Sequence, residues 1–206
     1  ARELFTDEIH QSLVMFVEER VQFLPLVHQQ EFSRRCGHNV GIFQHLHNEL
    51  TDFASEQFGE KVKPSYSFLS MYDHNGICPL HIDRDQCLYT IDYLIRQDGK
   101  EPWPIYIGEL ISDKERTEAT ETRMAHPETD EDIARVKWEQ RFTTVEMQPN
   151  DAVLYSGTHQ WHYRDRTPSG AADLAFFHFV PEAFSGPIST KLEPVATSHR
   201  RIEILS

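Results

Sequence analysis

Pro79-Leu80-His81-Ile82-Asp83 reads as the end of a short apolar strand and carries an H-x-D triplet. In extended backbone, residues i and i+2 point to the same face, about 6.5 Å apart along the chain. His81 and Asp83 can therefore reach one ion while Ile82 turns to the other side. The triplet alone is a weak signal, because a chain with twelve histidines meets one by chance about once. Its surroundings carry the reading.

From Pro64 onward the texture is that of short strands separated by turns. The candidates are Tyr66–Asp73, Pro79–Asp83, Cys87–Arg96, Trp103–Gly108, Arg141–Gln148, Ala152–Ser156, Trp161–Arg164 and Ala172–Val180. Turn signals fill the gaps, among them His74-Asn75-Gly76, Gln97-Asp98-Gly99 and Gln148-Pro149-Asn150-Asp151. Eight such strands are the number a double-sheet jelly roll or cupin-like barrel requires. The chain before them reads as helical. One apolar stripe runs from Leu4 through Leu13 and Val17 to Leu24, and a second from Ile42 through Leu46 and Phe53 to Ala54, stopping near Gly59.

The expected fold class is therefore α+β, mainly β: a double-stranded β-helix core over 64–181 with the helices of 1–60 packed against it. All of 1–206 forms one expected domain, and the tail, 182–206, has no clear periodicity. A charged stretch, 110–140, is too long for a plain hairpin loop and reads as a disordered insertion or a lid. Within it, Asp130 to Gln140 has the pattern of a short helix carrying Ile133, Val136 and Trp138.

Composition narrows the function classes. The 206 residues carry a net charge of −13, which repels a phosphate backbone and argues against nucleic acid as a partner. On bulk charge, a cationic substrate would be steered favourably. No run approaches the roughly 18 apolar residues of a membrane span. Cys36, Cys78 and Cys87 have neither paired nor CxxC spacing, so neither a disulfide framework nor a thiolate zinc site is expected. The sequence starts at Ala1 with no leader pattern, and a cytoplasmic location is the default expectation.

A third ligand for the H-x-D pair must come from elsewhere in the chain. After the turn at Pro149 and the apolar strand to Tyr155 come Gly157, His159 and His162. Either histidine would complete a two-His-one-carboxylate face with open positions, the ligand set of non-haem Fe(II) oxygenases. His10, His28, His45 and His47 lack ligand spacing and read as packing or surface residues, and His178 reads as a buried one. Trp103 and Trp161 read as core or rim aromatics.

Taken in order, these segments resemble the 2-oxoglutarate- and Fe(II)-dependent oxygenase superfamily. The likeness is carried by Tyr66-Ser67-Phe68-Leu69-Ser70-Met71-Tyr72, His81-Ile82-Asp83, Trp103-Pro104-Ile105-Tyr106, Asp151 through Arg164, and Phe176-Phe177-His178-Phe179-Val180. It covers about 64–181 and looks most like a bacterial branch with an H-x-D triplet, a "WP" strand and an H-aromatic-R segment. The resemblance implies His81, Asp83 and His162 as metal ligands, with His159 the less favoured distal ligand or a group that orients one. It also implies Fe(II), 2-oxoglutarate and O2, with release of succinate and CO2. Hydroxylation of a C–H bond in a small molecule, amino acid or peptide would follow. Asp83 stands where a halogenating relative would have Gly or Ala, so halogenation is not implied; desaturation or ring closure uses the same ligands.

In many superfamily members an Arg or Lys about ten residues past the distal His holds the far carboxylate of 2-oxoglutarate. The corresponding stretch here, Gly170 to Phe176, has no basic residue. Arg164, then Arg96, then Arg166 are the candidates in its place, with Tyr66, Tyr72 and Thr90 as hydroxyl partners. That departure keeps two other readings open: an Fe(II) oxygenase independent of 2-oxoglutarate, and a non-catalytic jelly-roll binding module.

Overall fold

The computed structural model describes residues 1–188, except 20, 100, 123, 124 and 169. Helices α1 (Asp7–Glu19), α2 (Gly41–Glu49) and α3 (Thr51–Phe58) lie in the first third. The strands are β1 (Val27–Gln29), β2 (Arg34–His38), β3 (Val62–Tyr72), β4 (Cys78–His81) and β5 (Tyr89–Gln97), then β6 (Ile105–Leu110), β7 (Phe142–Val145), β8 (Ala152–Tyr155), β9 (Gln160–Arg164) and β10 (Ala172–Pro181). Between β6 and β7 stand α4 (Asp113–Glu121) and α5 (Asp130–Glu139).

The strands form two antiparallel sheets, a large one in the order β1-β2-β3-β10-β5-β8 and a small one in the order β4-β9-β6-β7. The central strand β10 is almost a continuous apolar run because it is covered on both faces. One face of the large sheet meets the apolar sides of α1, α2 and α3, where Leu13, Val17, Phe43 and Ala54 pack on Ile91, Tyr93, Ile95, Phe177 and Phe179. Each buried Val, Leu, Ile or Phe among them contributes about 1.5–3 kcal/mol. The other face looks toward the small sheet. Tyr72, Leu94 and Leu174 of the large sheet, with Ile105 and Ile107 of the small one, close the space between them around Trp103 and Met147.

All eight strands expected from the sequence are present, with shifted ends. The second apolar stripe is two helices, broken at Leu50, and α3 ends at Gly59, whose φ of 74° is the left-handed cap that glycine adopts without cost. The first 60 residues are not purely helical. Arg34-Arg35-Cys36-Gly37-His38 has no strand alternation, yet it pairs along Phe68 to Tyr72 and lengthens the large sheet. Edge pairing, not side-chain pattern, makes it a strand.

The charged stretch 110–140 is ordered where it is described. Ser112 and Glu115 form a reciprocal cap on α4, and Thr129 caps α5. Ala119 and Val136 pack with Leu80, Ile82 and Trp161 on the small sheet, with Ile133 beside them. Trp138, expected on the same side, is 90% exposed. The tail beyond 188 lies outside the described residues. No helix among the described residues is long and apolar enough to cross a membrane.

Candidate metal centre and its cavity

His81 ends β4, His162 lies in β9, and the two are directly paired across the ladder. Asp83 follows two residues beyond His81. His81 Nε2 lies 3.4 Å from Asp83 Oδ1, and His162 Nε2 lies 3.7 Å from Asp83 Oδ2. One ligand atom from each residue falls within 4.8 Å of the others. The other ring nitrogens are occupied: His81 Nδ1 bonds the Pro79 carbonyl at 2.7 Å, and His162 Nδ1 bonds the Gln160 carbonyl at 2.9 Å. A carbonyl only accepts, so each Nδ1 carries a proton, and a neutral ring so held presents its lone pair at Nε2. Two lone pairs facing one carboxylate is an arrangement that a shared cation satisfies.

Electrostatics agree. Burial alone would raise the Asp83 carboxyl, but positive charge on the His162 and His81 rings outweighs it and holds the group well below the usual carboxylate range. Burial, with His81 beside it, pushes His162 down to about 4, so its imidazole is neutral near pH 7.

Gly157 explains part of the motif around the distal histidine. Its carbonyl accepts from the Asp83 backbone N–H at 2.8 Å. A Cβ at position 157 would run into the Asp83 carboxylate, the Cys87 carbonyl and the Thr90 hydroxyl. Glycine is there because the backbone passes against the Asp83 carboxylate. His159, the other distal candidate, is elsewhere: its Nε2 meets Asp113 at the start of α4 at 2.9 Å, and its Nδ1 meets Thr158.

The triad opens on a cavity of about 930 Å³ between the sheets, lined among others by Tyr66, Phe68, Tyr72, Asp92, Arg164 and His178. Tyr66 and Tyr72 line it as their shared parity predicts. Tyr66 is tied to the Cys87 thiol at 2.9 Å, and Tyr72 accepts from Arg34 at 2.9 Å. Thr90 does not line it; its hydroxyl bonds His178 Nδ1 at 3.0 Å. Burial pushes His178 down to about 4. Cys87 and His178 also approach Asp83 within 4.8 Å, as a second grouping around the same carboxylate.

The arginines sort themselves differently from the sequence order. Arg164 is buried in the cavity wall, donating to Asp92 Oδ2 at 2.9 Å and to the Trp103 carbonyl at 2.6 Å. Arg96 is a correction. It should share the inner face with Asp92 and Leu94, but the β5–β10 register shifts there, Asp173 facing Arg96 and Leu174 facing Leu94. That one-residue bulge turns Arg96 to the helix side. There it meets Asp173 at 2.5 Å and Glu18 of α1 at 3.4 Å, outside the cavity. Arg166 lines the cavity and bonds the Asn75 carbonyl.

Sequence reasoning missed Arg34, because it missed β2. Arg34 lines the cavity, bonds Tyr72 and Gln29, and stacks near Phe32, Phe68 and Tyr72 at 4.9–5.6 Å. Among the described residues no carboxylate pairs with it. His126, in the link from α4 to α5, was missed too. It lines the cavity and stacks on His81, with ring centroids 5.5 Å apart.

The fold is shared with solved structures. HygX from Streptomyces hygroscopicus, with nickel, 2-oxoglutarate and hygromycin B bound, superposes with a TM-score of 0.59 at 12% identity, over 89% of this chain and 82% of that one. SnoK, a non-heme alpha-ketoglutarate-dependent carbocyclase of nogalamycin biosynthesis, gives 0.64 at 12% identity, over 87% and 78%. A Pseudomonas putida prolyl-4-hydroxylase gives 0.59 at 9% identity, over 89% and 91%. No protein-family model matches the chain, and neither does any curated protein. The fold is that of the Fe/2-oxoglutarate-dependent oxygenases.

Proposed function

We propose that this chain is a single-domain Fe(II)- and 2-oxoglutarate-dependent oxygenase with a double-stranded β-helix core, acting on a small molecule. The observation that supports it most is the convergence of two Nε2 atoms on one carboxylate, with each ring's Nδ1 held by a carbonyl. Two imidazoles and a carboxylate fit iron and leave open positions. Iron bound there, with 2-oxoglutarate and O2, supplies oxidation of an unactivated C–H bond coupled to decarboxylation of the cosubstrate to succinate.

The chain's own residues hold and shield. Pro79 and Gln160 fix the tautomers of the ligands, and Gly157 lets Asp83 sit against the backbone. Tyr72, Trp103 and Tyr155 keep the inner end apolar. For the far carboxylate of the cosubstrate, Arg34 with the Tyr72 hydroxyl is the better anchor. Arg164 is already neutralised by Asp92, and a paired guanidinium attracts a second carboxylate less. It stands opposite Cys78, whose thiol feels both arginines, so it would be a second contact. We favour hydroxylation over halogenation because Asp83 supplies the carboxylate ligand.

The Arg164–Asp92 pair also favours a second reading, an Fe(II) oxygenase that does not use 2-oxoglutarate. The test is anaerobic titration with Fe(II) and then 2-oxoglutarate, watching for the visible charge-transfer band of a chelated keto acid. We expect the band, its loss in His81→Ala, and at least about a tenfold higher half-saturating 2-oxoglutarate in Arg34→Gln. Iron binding without the band selects the second reading. No iron binding leaves a non-catalytic jelly-roll module.

A further inference from the structure

The cavity contradicts the charge of the molecule that holds it. The chain is acidic overall, at −13. Yet of the carboxylates lining the cavity, Asp83 belongs to the triad, Asp92 is paired with Arg164, and Glu31 and Glu128 are exposed. Arg84 lines it as well. Its guanidinium lies 4.9 Å over the Tyr66 ring, and its Nε donates to the Tyr66 hydroxyl at 3.4 Å. Among the described residues no carboxylate pairs with Arg84; the adjacent Asp85 pairs with Arg116 instead. Beside this cation lies a row of rings. Phe176 and His178 are parallel within 6°, and Phe68 stands 6.2 Å from Phe176.

A guanidinium at the solvent-facing edge of the cavity with no acid paired to it favours an anion, and carboxylate or phosphate matches its forked donors. The ring surface favours an apolar body. We propose that the substrate is an apolar molecule bearing a carboxylate or phosphate group, and that Arg84, one residue past the metal ligand Asp83, reads that charge. What the cavity does with such a molecule rests on the oxygenase reading; the preference for an anion does not.

The test is calorimetric binding of three probes, 2-naphthoate, 2-naphthamide and 2-naphthylmethylammonium, to the protein alone and to the anaerobic Fe(II) form with saturating 2-oxoglutarate. We expect the naphthoate to bind about tenfold tighter than the amide and the ammonium to bind weakest. Arg84→Gln should erase that order, while Arg141→Gln, an exposed position with the same change in net charge, should keep it. Equal binding, or none, by all three probes overturns the proposal. So does a preference that survives Arg84→Gln, or displacement of the naphthoate by 2-oxoglutarate, which would make the anion site the cosubstrate's. An intact preference in a protein that develops no iron–keto-acid band would sink the oxygenase reading and leave the anion site standing.

Discussion

Phe176 and Phe177 are neighbours in β10 on opposite faces of the large sheet. Phe177 is fully buried and packs against Phe43 and His47 under the helices. Phe176 lines the cavity, beside Phe68 and His178. The same division runs through β5, where Ile91 and Tyr93 join the helix-side core while Asp92 lines the cavity. A strand of period two lets one stretch of sequence hold the fold on odd positions and build a site on even ones. The helix face is filled with apolar volume, whereas the cavity face is held by paired polar groups around open space.

Paired substitutions can break this contrast. Phe177→Ala should lower unfolding free energy by about 3–5 kcal/mol in denaturant titration, because it leaves a void in a closed core. Phe176→Ala should cost at most about 2 kcal/mol, since the ring already borders empty volume. Equal losses would mean that the cavity face is packed like the helix face. Next in size, Arg164→Met should cost about 3 kcal/mol by stranding Asp92, which has no other partner for its second oxygen among the described side chains and backbone. Burial already raises the Asp92 carboxyl, with Arg164 opposing. Adding Asp92→Asn should recover most of the loss; failure to recover would show that Arg164 acts through packing on Trp103.

An effect confined to acid pH belongs to His47, which is buried on the helix side with Nε2 donating to the His178 carbonyl at 2.8 Å. Burial lowers it from 6.5 to about 3. Its folded value lies below its unfolded value, so its contribution is complete above pH 6.5 and is lost progressively as pH falls toward 3. His47→Gln keeps a donor and does not titrate, so the stability of the metal-free protein should fall less steeply between pH 6.5 and about 4. An unchanged slope would assign the acid sensitivity to the cavity side alone.

How much of this was readable beforehand follows the same division. The core strands announce themselves by alternation or by apolar runs, and His81 and Asp83 stand out because two side chains that could reach one ion need fixed residue types at a fixed offset; the close approach at Gly157 did not show in the sequence. Arg34 did not, since β2 has no apolar pattern and exists by pairing with β3. Arg96 misled because a bulge is a property of the register between two strands, absent from either one alone. The ends of α4 and α5 were legible in principle through Ser112 with Glu115 and through Thr129, but what they pack on was not. Net charge would steer a cationic ligand but says nothing about the pocket, whose individual carboxylate pairings only the structure displays.

The excursion that carries α4 and α5 leaves β6 and returns to β7, and those strands are paired from Ile105 with Val145 to Gly108 with Phe142, with Glu109 bonding Arg141 just beyond. Its two ends are thus hydrogen-bonded to each other before it begins. Topologically it is a hairpin loop grown long, and the β6–β7 ladder at its base does not depend on its length. Evolution can therefore remodel the wall that places His126 over His81 within one loop, provided that the Ala125 carbonyl still accepts from the Ile82 N–H between His81 and Asp83.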